Sequence, residues 1–158
     1  MSGPDAGFYA GLARKRSAAG ALITDTLGRI LIVEPAYKST WEVPGGVVED
    51  GETAPAACAR ELREEIGLVR TIGRLLVVEH QTDRGVRGDS VMFVYDGGIL
   101  SDPEGIRLDE SELKSFGFFA RDELATHMAA KVARRLGYAA DALAAGIVIE
   151  LEDGIRRV

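Results

Sequence analysis

The stretch Gly45–Leu68, GGVVEDGETAPAACARELREEIGL, crowds Glu61, Glu64 and Glu65 into five residues. Like charges one helical turn apart repel, so the crowding needs a cause. On a helical wheel of about 100° per residue, Glu65 falls about 40° to one side of Glu61 and Glu64 about 60° to the other. The three carboxylates therefore share a face. Cys58, Ala59, Leu62 and Ile66 fill a neighbouring arc suited to packing on a sheet, and the wheel directs Arg60 and Arg63 away from the acids. The acidic stripe then borders the buried face, where a lower dielectric enlarges repulsion. Such a set calls for a cation. Oxygen-only ligands suit a hard divalent ion, Mg²⁺ first and Mn²⁺ second, and there is no Cys/His cluster of the zinc-binding kind. The adjoining Pro44-Gly45-Gly46 lets backbone approach a ligand closely and offers a carbonyl as a further oxygen. An acidic face beside a Gly-rich turn is where phosphate oxygens and metal ions meet. Either feature alone is commonplace, a solvated helix face or an ordinary turn.

The same stretch sets its own boundaries. Thr53 is placed to cap the helix, Pro55 is tolerated in its first turn, and Gly67 stops it after Ile66. Upstream, Ala18–Thr24 and Arg29–Glu34 read as strands joined by the turn Asp25-Thr26-Leu27-Gly28, a hairpin pattern. Trp41-Glu42-Val43 reads as a short strand halted by Pro44-Gly45-Gly46. Downstream, Thr71–His80, Ser90–Tyr95 (continuing toward Leu100) and Lys114–Ala120 read as strands. Residues 81–89 and 101–111 read as polar loops. Arg121–Leu136 predicts one or two helices and Ala139–Ala145 another. The end of the chain, residues 146–158, predicts a hairpin around Asp153-Gly154. Residues 1–16 are expected to be an arm, with Phe8, Tyr9 and Leu12 able to dock on the body. No repeat or linker divides the chain, so 1–158 is expected to be one domain with a mixed sheet and helices packed on it.

The 158 residues are 46% hydrophobic and 28% charged, an ordinary globular balance, with a net charge of −6. That sign argues against a nucleic-acid coat or an anionic-membrane binder, yet not against a phosphate ligand bridged by metal. A single cysteine, Cys58, allows no intrachain disulfide. With no signal peptide and no membrane span in the pattern, a cytoplasmic protein is expected.

Spacing identifies the stretch. Gly46, five residues, Glu52, seven residues, then Arg60-Glu61-Leu62-Arg63-Glu64-Glu65-Ile66-Gly67-Leu68 resembles the Nudix box, G-x5-E-x7-R-E-U-x-E-E-x-G-U with U aliphatic, at every fixed position. Trp41–Gly46 (WEVPGG) resembles the segment that commonly leads into that box. Phe118-Phe119 followed by Arg121-Asp122-Glu123-Leu124 is similar to the late strand and "DEL" helix of many members; elsewhere only the order of elements is alike. The resemblance implies a Nudix-type α/β/α sandwich with a mixed β-sheet. It implies metal-dependent hydrolysis of a nucleoside diphosphate linked to another moiety, with water attacking phosphorus. Glu61, Glu64 and Glu65 match the family's metal-ligand positions, and Gly45 the carbonyl that often joins them. Glu52 and Arg60 match supporting positions, where an ion pair braces loop against helix. A carboxylate must take the water's proton. Glu61 is one candidate, and Glu110 and Glu112 in the later loop are others, as base or further ligand.

Remaining candidates are weighed against plainer roles. Arg84 and Arg87 sit in a loop where they could clamp a phosphate, although exposed loop charges are usually solvated. Trp41 is a stacking surface or a packing residue. His80 and His127 suggest nothing specific, and Cys58 reads as a small core residue. The expected substrate is a nucleoside triphosphate or a nucleoside diphosphate sugar, not a long nucleic acid. The competing readings are a catalytically silent nucleotide-binding or regulatory module on the same fold, and a hydrolase of a non-nucleotide diphosphate such as a prenyl diphosphate. A homodimer is expected, with the C-terminal hairpin or the N-terminal arm as the contact.

Overall fold

The computed structural model describes residues 3–158, so the first two residues of the expected arm lie outside the described residues. The framework is set by β1 (Arg16–Thr24), whose alternating side chains serve two cores at once. Ala19, Ala21 and Ile23 enter one buried cluster, and Leu22 enters the other. Strand β2 (Ile30–Pro35) follows a turn in which Asp25 does the work its sequence suggests. Its Oδ1 accepts from the backbone N–H of Leu27 and Arg29, both at 2.9 Å, while Gly28 takes φ +77°.

Only the turn end of this hairpin is paired, Thr24 with Ile30. Beyond it the two strands part, and the segment 42–47 fills the gap. Val33 and Glu42 exchange backbone hydrogen bonds at 2.9 Å each, and Ala21 N–H donates to the Pro44 carbonyl at 3.0 Å. The strand therefore lies at β3 (Gly45–Val47), paired antiparallel with β1, while Glu42 makes an isolated bridge. This corrects the expectation of a strand over 41–43 that stops at the glycines. Two glycines permit it because a Cβ at Gly45 would lie 2.2 Å from the Ala19 carbonyl oxygen.

After helix α2 (Ala54–Ile66), the chain crosses to β4 (Leu75–Gln81) and returns in β5 (Ser90–Ile99). Residues 71–74 precede β4 as irregular backbone, with Gly73 N–H on the Asp96 carbonyl and Asp96 N–H on that of Arg74. The strand thus starts later than its apolar pattern suggested. Strand β6 (Leu113–Phe119) follows, then a short helical turn at 121–123, α3 (Leu124–His127), α4 (Ala130–Ala145), β7 (Ile149–Glu152) and β8 (Ile155–Arg156). Helix α4 runs unbroken through Gly137, where two helices were expected. The missing Cβ admits the Arg121 guanidinium, whose Nε would stand 3.0 Å from it. The turn into β8 has positive φ at both Asp153 and Gly154, the geometry of a two-residue hairpin loop.

The strands form one mixed sheet in the order β6-β2-β1-β5-β4-β7-β8, with β3 also on β1. Pairs β1/β5 and β4/β7 are parallel, the rest antiparallel. Helix α2 covers one face through Cys58, Leu62 and Ile66, and α4 the other through Leu136, Ala139 and Ala142, which makes an α/β/α sandwich. At the N-terminus, α1 (Ala6–Ala10) is capped by Asp5, but Phe8, Tyr9 and Leu12 are exposed and not docked. Among the described residues no helix is long and apolar enough to cross a membrane.

Candidate active site

Helix α2 begins and ends on sequence-coded caps. Thr53 Oγ1 accepts from Ala56 N–H at 3.3 Å, and Gly67, at φ +70°, returns its N–H to the Arg63 carbonyl. That 5→1 bond is the αL type of C-cap, and Leu68 N–H reaches the Leu62 carbonyl at 3.1 Å. With Ala57, Cys58, Leu62 and Ile66 buried, Glu61 and Glu65 fall at the margin of the core and Glu64 on the open surface.

The margin meets the glycine turn directly. A Cβ at Gly46 would lie 2.5 Å from the Glu61 carboxylate, so only glycine leaves room for that acid. Gly45 N–H donates to Glu65 Oε2 at 3.1 Å. In the β1/β3 ladder, Ala21 bonds Pro44 and Val48 N–H bonds the Ser17 carbonyl. Gly45 lies between these bonded positions, so its N–H and carbonyl are not used by β1, and the N–H is the one that meets Glu65 of α2.

Arg60 organises the rest, and it corrects the helical wheel. Its guanidinium does not lie away from the acids. It donates to Glu52 at 2.8 and 3.0 Å, to Glu61 at 2.8 Å, to Glu64 at 3.1 Å and to the Val47 carbonyl at 3.1 Å. The wheel fixes where a Cβ points, whereas a long side chain can fold back along the surface. The contacts with Glu52 and Val47 tie the loop before α2 to the helix.

Glu65 has no such partner. Burial pushes its pKa up to about 8, against the Gly45 N–H that lowers it, with Glu61, Glu112 and Glu42 adding to the rise. Glu112 thus acts on Glu65 from the later loop, which hangs on the end of α2 through Asp109 N–H to the Glu65 carbonyl and Arg107 N–H to that of Ile66, each at 2.9 Å. Glu110 is exposed. Two neighbours escaped the sequence reading, Glu42 and Tyr37. Tyr37 OH lies 3.4 Å from Glu42 Oε2, and Lys38 also pairs with Glu42. The signal was present as an acid just ahead of Pro44, but it becomes legible only once the Val33–Glu42 bridge brings that residue to the site.

Among the described residues, no three His, Cys, Asp or Glu side chains form a ready metal cage. The physical reason is visible in Arg60, which draws Glu61 and Glu64 to itself. The donor chemistry nonetheless fits a hard divalent cation: every candidate ligand is an oxygen, one guanidinium faces four carboxylates within 4.0 Å, and Glu65 is desolvated with no cation beside it.

Other candidates lie elsewhere. Trp41 packs edge-on against Phe119 at 5.5 Å and beside His127 at 5.3 Å, on the α4 side of the sheet. Arg84 and Arg87 are exposed; Arg87 lines a cleft with Arg16, Lys131 and Asp153. His80 pairs with Glu150 at 3.0 Å. Burial pushes the Cys58 thiol up to about 12, which leaves it inert.

Comparison with known proteins identifies the family. The model of the NUDIX domain matches residues 14–139. A MutT-like protein of Streptomyces ambofaciens is 33% identical over 138 residues, covering 87% of this chain and 83% of that protein. An ADP-ribose pyrophosphatase of Methanocaldococcus jannaschii is 43% identical over 68 residues, 40% of each chain. The solved MutT NUDIX hydrolase of Burkholderia pseudomallei superposes with a TM-score of 0.68 at 27% identity, over 80% of this chain and 98% of that one. The family match runs from just before β1 through the box and into α4, and the chain belongs to the NUDIX family.

Proposed function

We propose that this chain, a family hydrolase of pyrophosphate bonds, cuts the diphosphate of a nucleoside diphosphate linked to another moiety, a nucleoside triphosphate or a nucleoside diphosphate sugar. The reading takes 1–158 as one such domain. The observation that carries it is the seating of Glu65 on Gly45 N–H, beside Glu61 over Gly46, with no salt bridge to Glu65 among the described residues.

Glu61, Glu64, Glu65 and the Gly45 carbonyl would hold the cation, Mg²⁺ or Mn²⁺. Bound there, a divalent ion supplies charge neutralisation to the diphosphate and eases deprotonation of water. Arg60, held by Glu52, positions the acids and limits how far Glu61 and Glu64 can swing. Glu112, which faces Glu65, or Glu61 accepts the proton as the water oxygen bonds to phosphorus and the bridging P–O bond breaks. The net charge of −6 counts against long nucleic acid as substrate.

A substrate panel with Mg²⁺ and product identification tests this, comparing wild type with Glu64→Gln and Glu65→Gln. Hydrolysis of a nucleotide diphosphate bond that those substitutions leave unchanged would remove the assignment. One observation favours the catalytically silent module instead: Arg60 already occupies Glu61 and Glu64. Nucleotide binding without turnover of any panel member, prenyl and other non-nucleotide diphosphates included, would favour that module. A homodimer is part of the proposal, and a monomer by sedimentation at micromolar concentration would remove it.

A further inference from the structure

Tyr37 stands between β2 and β3 with 75% of its surface exposed. Among the described residues no aromatic ring pairs with it, and it belongs to neither core cluster. Its close neighbour is the Lys38 ammonium, 5.8 Å from the ring centroid. Yet its loop is anchored on the candidate site at both ends. Ala36 N–H donates to the Glu112 carbonyl at 2.7 Å, and Tyr37 OH reaches Glu42, three residues before the Gly45 that holds Glu65. The charges of Glu42, Glu65 and Glu112 all act on the phenol.

We infer that Tyr37 is the stacking platform of this site, a positioning residue whose ring takes the planar base joined to the diphosphate. The inference rests on the function proposed above and narrows it toward nucleosides. The floor around Glu65 is acidic and calls for phosphates with their cation. The uncharged end of the substrate must lie at the rim, where this exposed ring offers a π-face that no other aromatic ring among the described residues covers, with the Lys38 ammonium 5.8 Å from its centroid. A base stacks on such a face whatever its sequence identity, whereas a prenyl or other aliphatic group has no matching face. Lys38 and Glu42 form a partly exposed pair, which exchanges partners at little cost. Lys38 can then turn to a phosphate oxygen without moving the loop.

The test uses the full chain with Mg²⁺ and two probes, a nucleoside diphosphate with a fluorescent purine base and a dialkyl diphosphate without a base. Tyr37→Leu is expected to weaken binding of the purine probe about tenfold and to raise KM for a nucleoside diphosphate sugar about tenfold, with kcat within about twofold. Tyr37→Phe should restore both, and the base-free diphosphate should not distinguish the variants. Equal purine affinity in wild type and Tyr37→Leu overturns the inference, as does an equal loss on the base-free compound or failure of wild type to bind the purine probe. Tyr37-dependent binding with no hydrolysis of any diphosphate overturns the hydrolase reading and leaves the platform standing.

Discussion

Each face of the sheet carries a helix and a desolvated glutamate, and the two glutamates are completed in opposite ways. On the α4 face, Glu79 of β4 is 0% exposed and meets Arg135 of α4, itself buried. On the α2 face, Glu65 meets a backbone N–H and three further carboxylates, Glu61, Glu112 and Glu42. A buried charge without a partner is unfavourable. The α4 face supplies its counter-charge from within the chain, although Glu79 Oε1 has no hydrogen-bond partner among the described residues; on the α2 face the cation proposed above would supply it. The contrast separates structure from function more sharply than burial does.

The largest expected effect breaks the comparison at the open side. Glu65→Gln and Glu64→Gln should each lower kcat by about a thousandfold, while Glu79→Gln should leave the turnover of folded protein within about twofold. Initial rates normalised to folded fraction decide it. A comparable loss of turnover for Glu79→Gln would mean that the two faces do not divide the labour.

Stability should respond in the reverse order. Arg135→Met strands the Glu79 charge and is expected to cost about 3–5 kcal/mol. Glu79→Leu combined with Arg135→Met should recover most of that loss, because both charges are gone. Urea unfolding of the single and double variants measures the coupling. A single-variant cost under about 1 kcal/mol would contradict an α4 face whose counter-charge comes from Arg135.

The open face was legible in the sequence and the closed one was not. Helix α2 has its period, cap, stop and acid stripe within consecutive residues, so local chemistry sufficed. The Glu79–Arg135 pair joins residues 56 apart, and no local pattern marks either as buried. The parallel neighbours β1 and β5 are equally non-local. The gap expected between Leu136 and Ala139 is helical, and Gly137 within it leaves space that the Arg121 side chain uses. Arg60 was misplaced because a wheel ignores side-chain reach. Glu42 and Tyr37 were overlooked because 42–47 enters the site only by wedging between two strands that read as a simple hairpin.

Titration sharpens the contrast next. Glu65 has its pKa raised in the folded chain to about 8 from the ordinary glutamate value of 4.5. Its contribution is therefore fully present below about pH 4.5 and is lost as pH rises through about 8. In chelator, stability should fall by about 2 kcal/mol across that window, allowing for screening. Glu65→Gln should flatten this component. Mg²⁺ should offset the fall at high pH, because a cation then replaces the proton. Urea midpoints at acidic and alkaline pH, with and without Mg²⁺, supply the comparison; a wild-type slope equal to that of Glu65→Gln would remove Glu65 as its source.

The smallest effect lies at the helix starts. Helix α2 is capped by Thr53 Oγ1 on Ala56 N–H, whereas α4 starts at Ala129, which has no side-chain cap bond. The helix that presents the acids is thus pinned at its first turn, and the helix that is locked by a buried ion pair is not. Thr53→Ala should cost about 1 kcal/mol, and Ala129→Ser should gain about 0.5 kcal/mol. The two changes should also differ in activity. Loosening the first turn of α2 disturbs the loop that Glu52 and Arg60 join to the helix, so Thr53→Ala should raise the Mg²⁺ concentration needed for half-maximal rate. Ala129→Ser touches no element that carries the acids and should leave that concentration unchanged. Thermal unfolding and Mg²⁺ titration of the rate, run on both variants, separate a stability effect common to any helix from one that reaches the site.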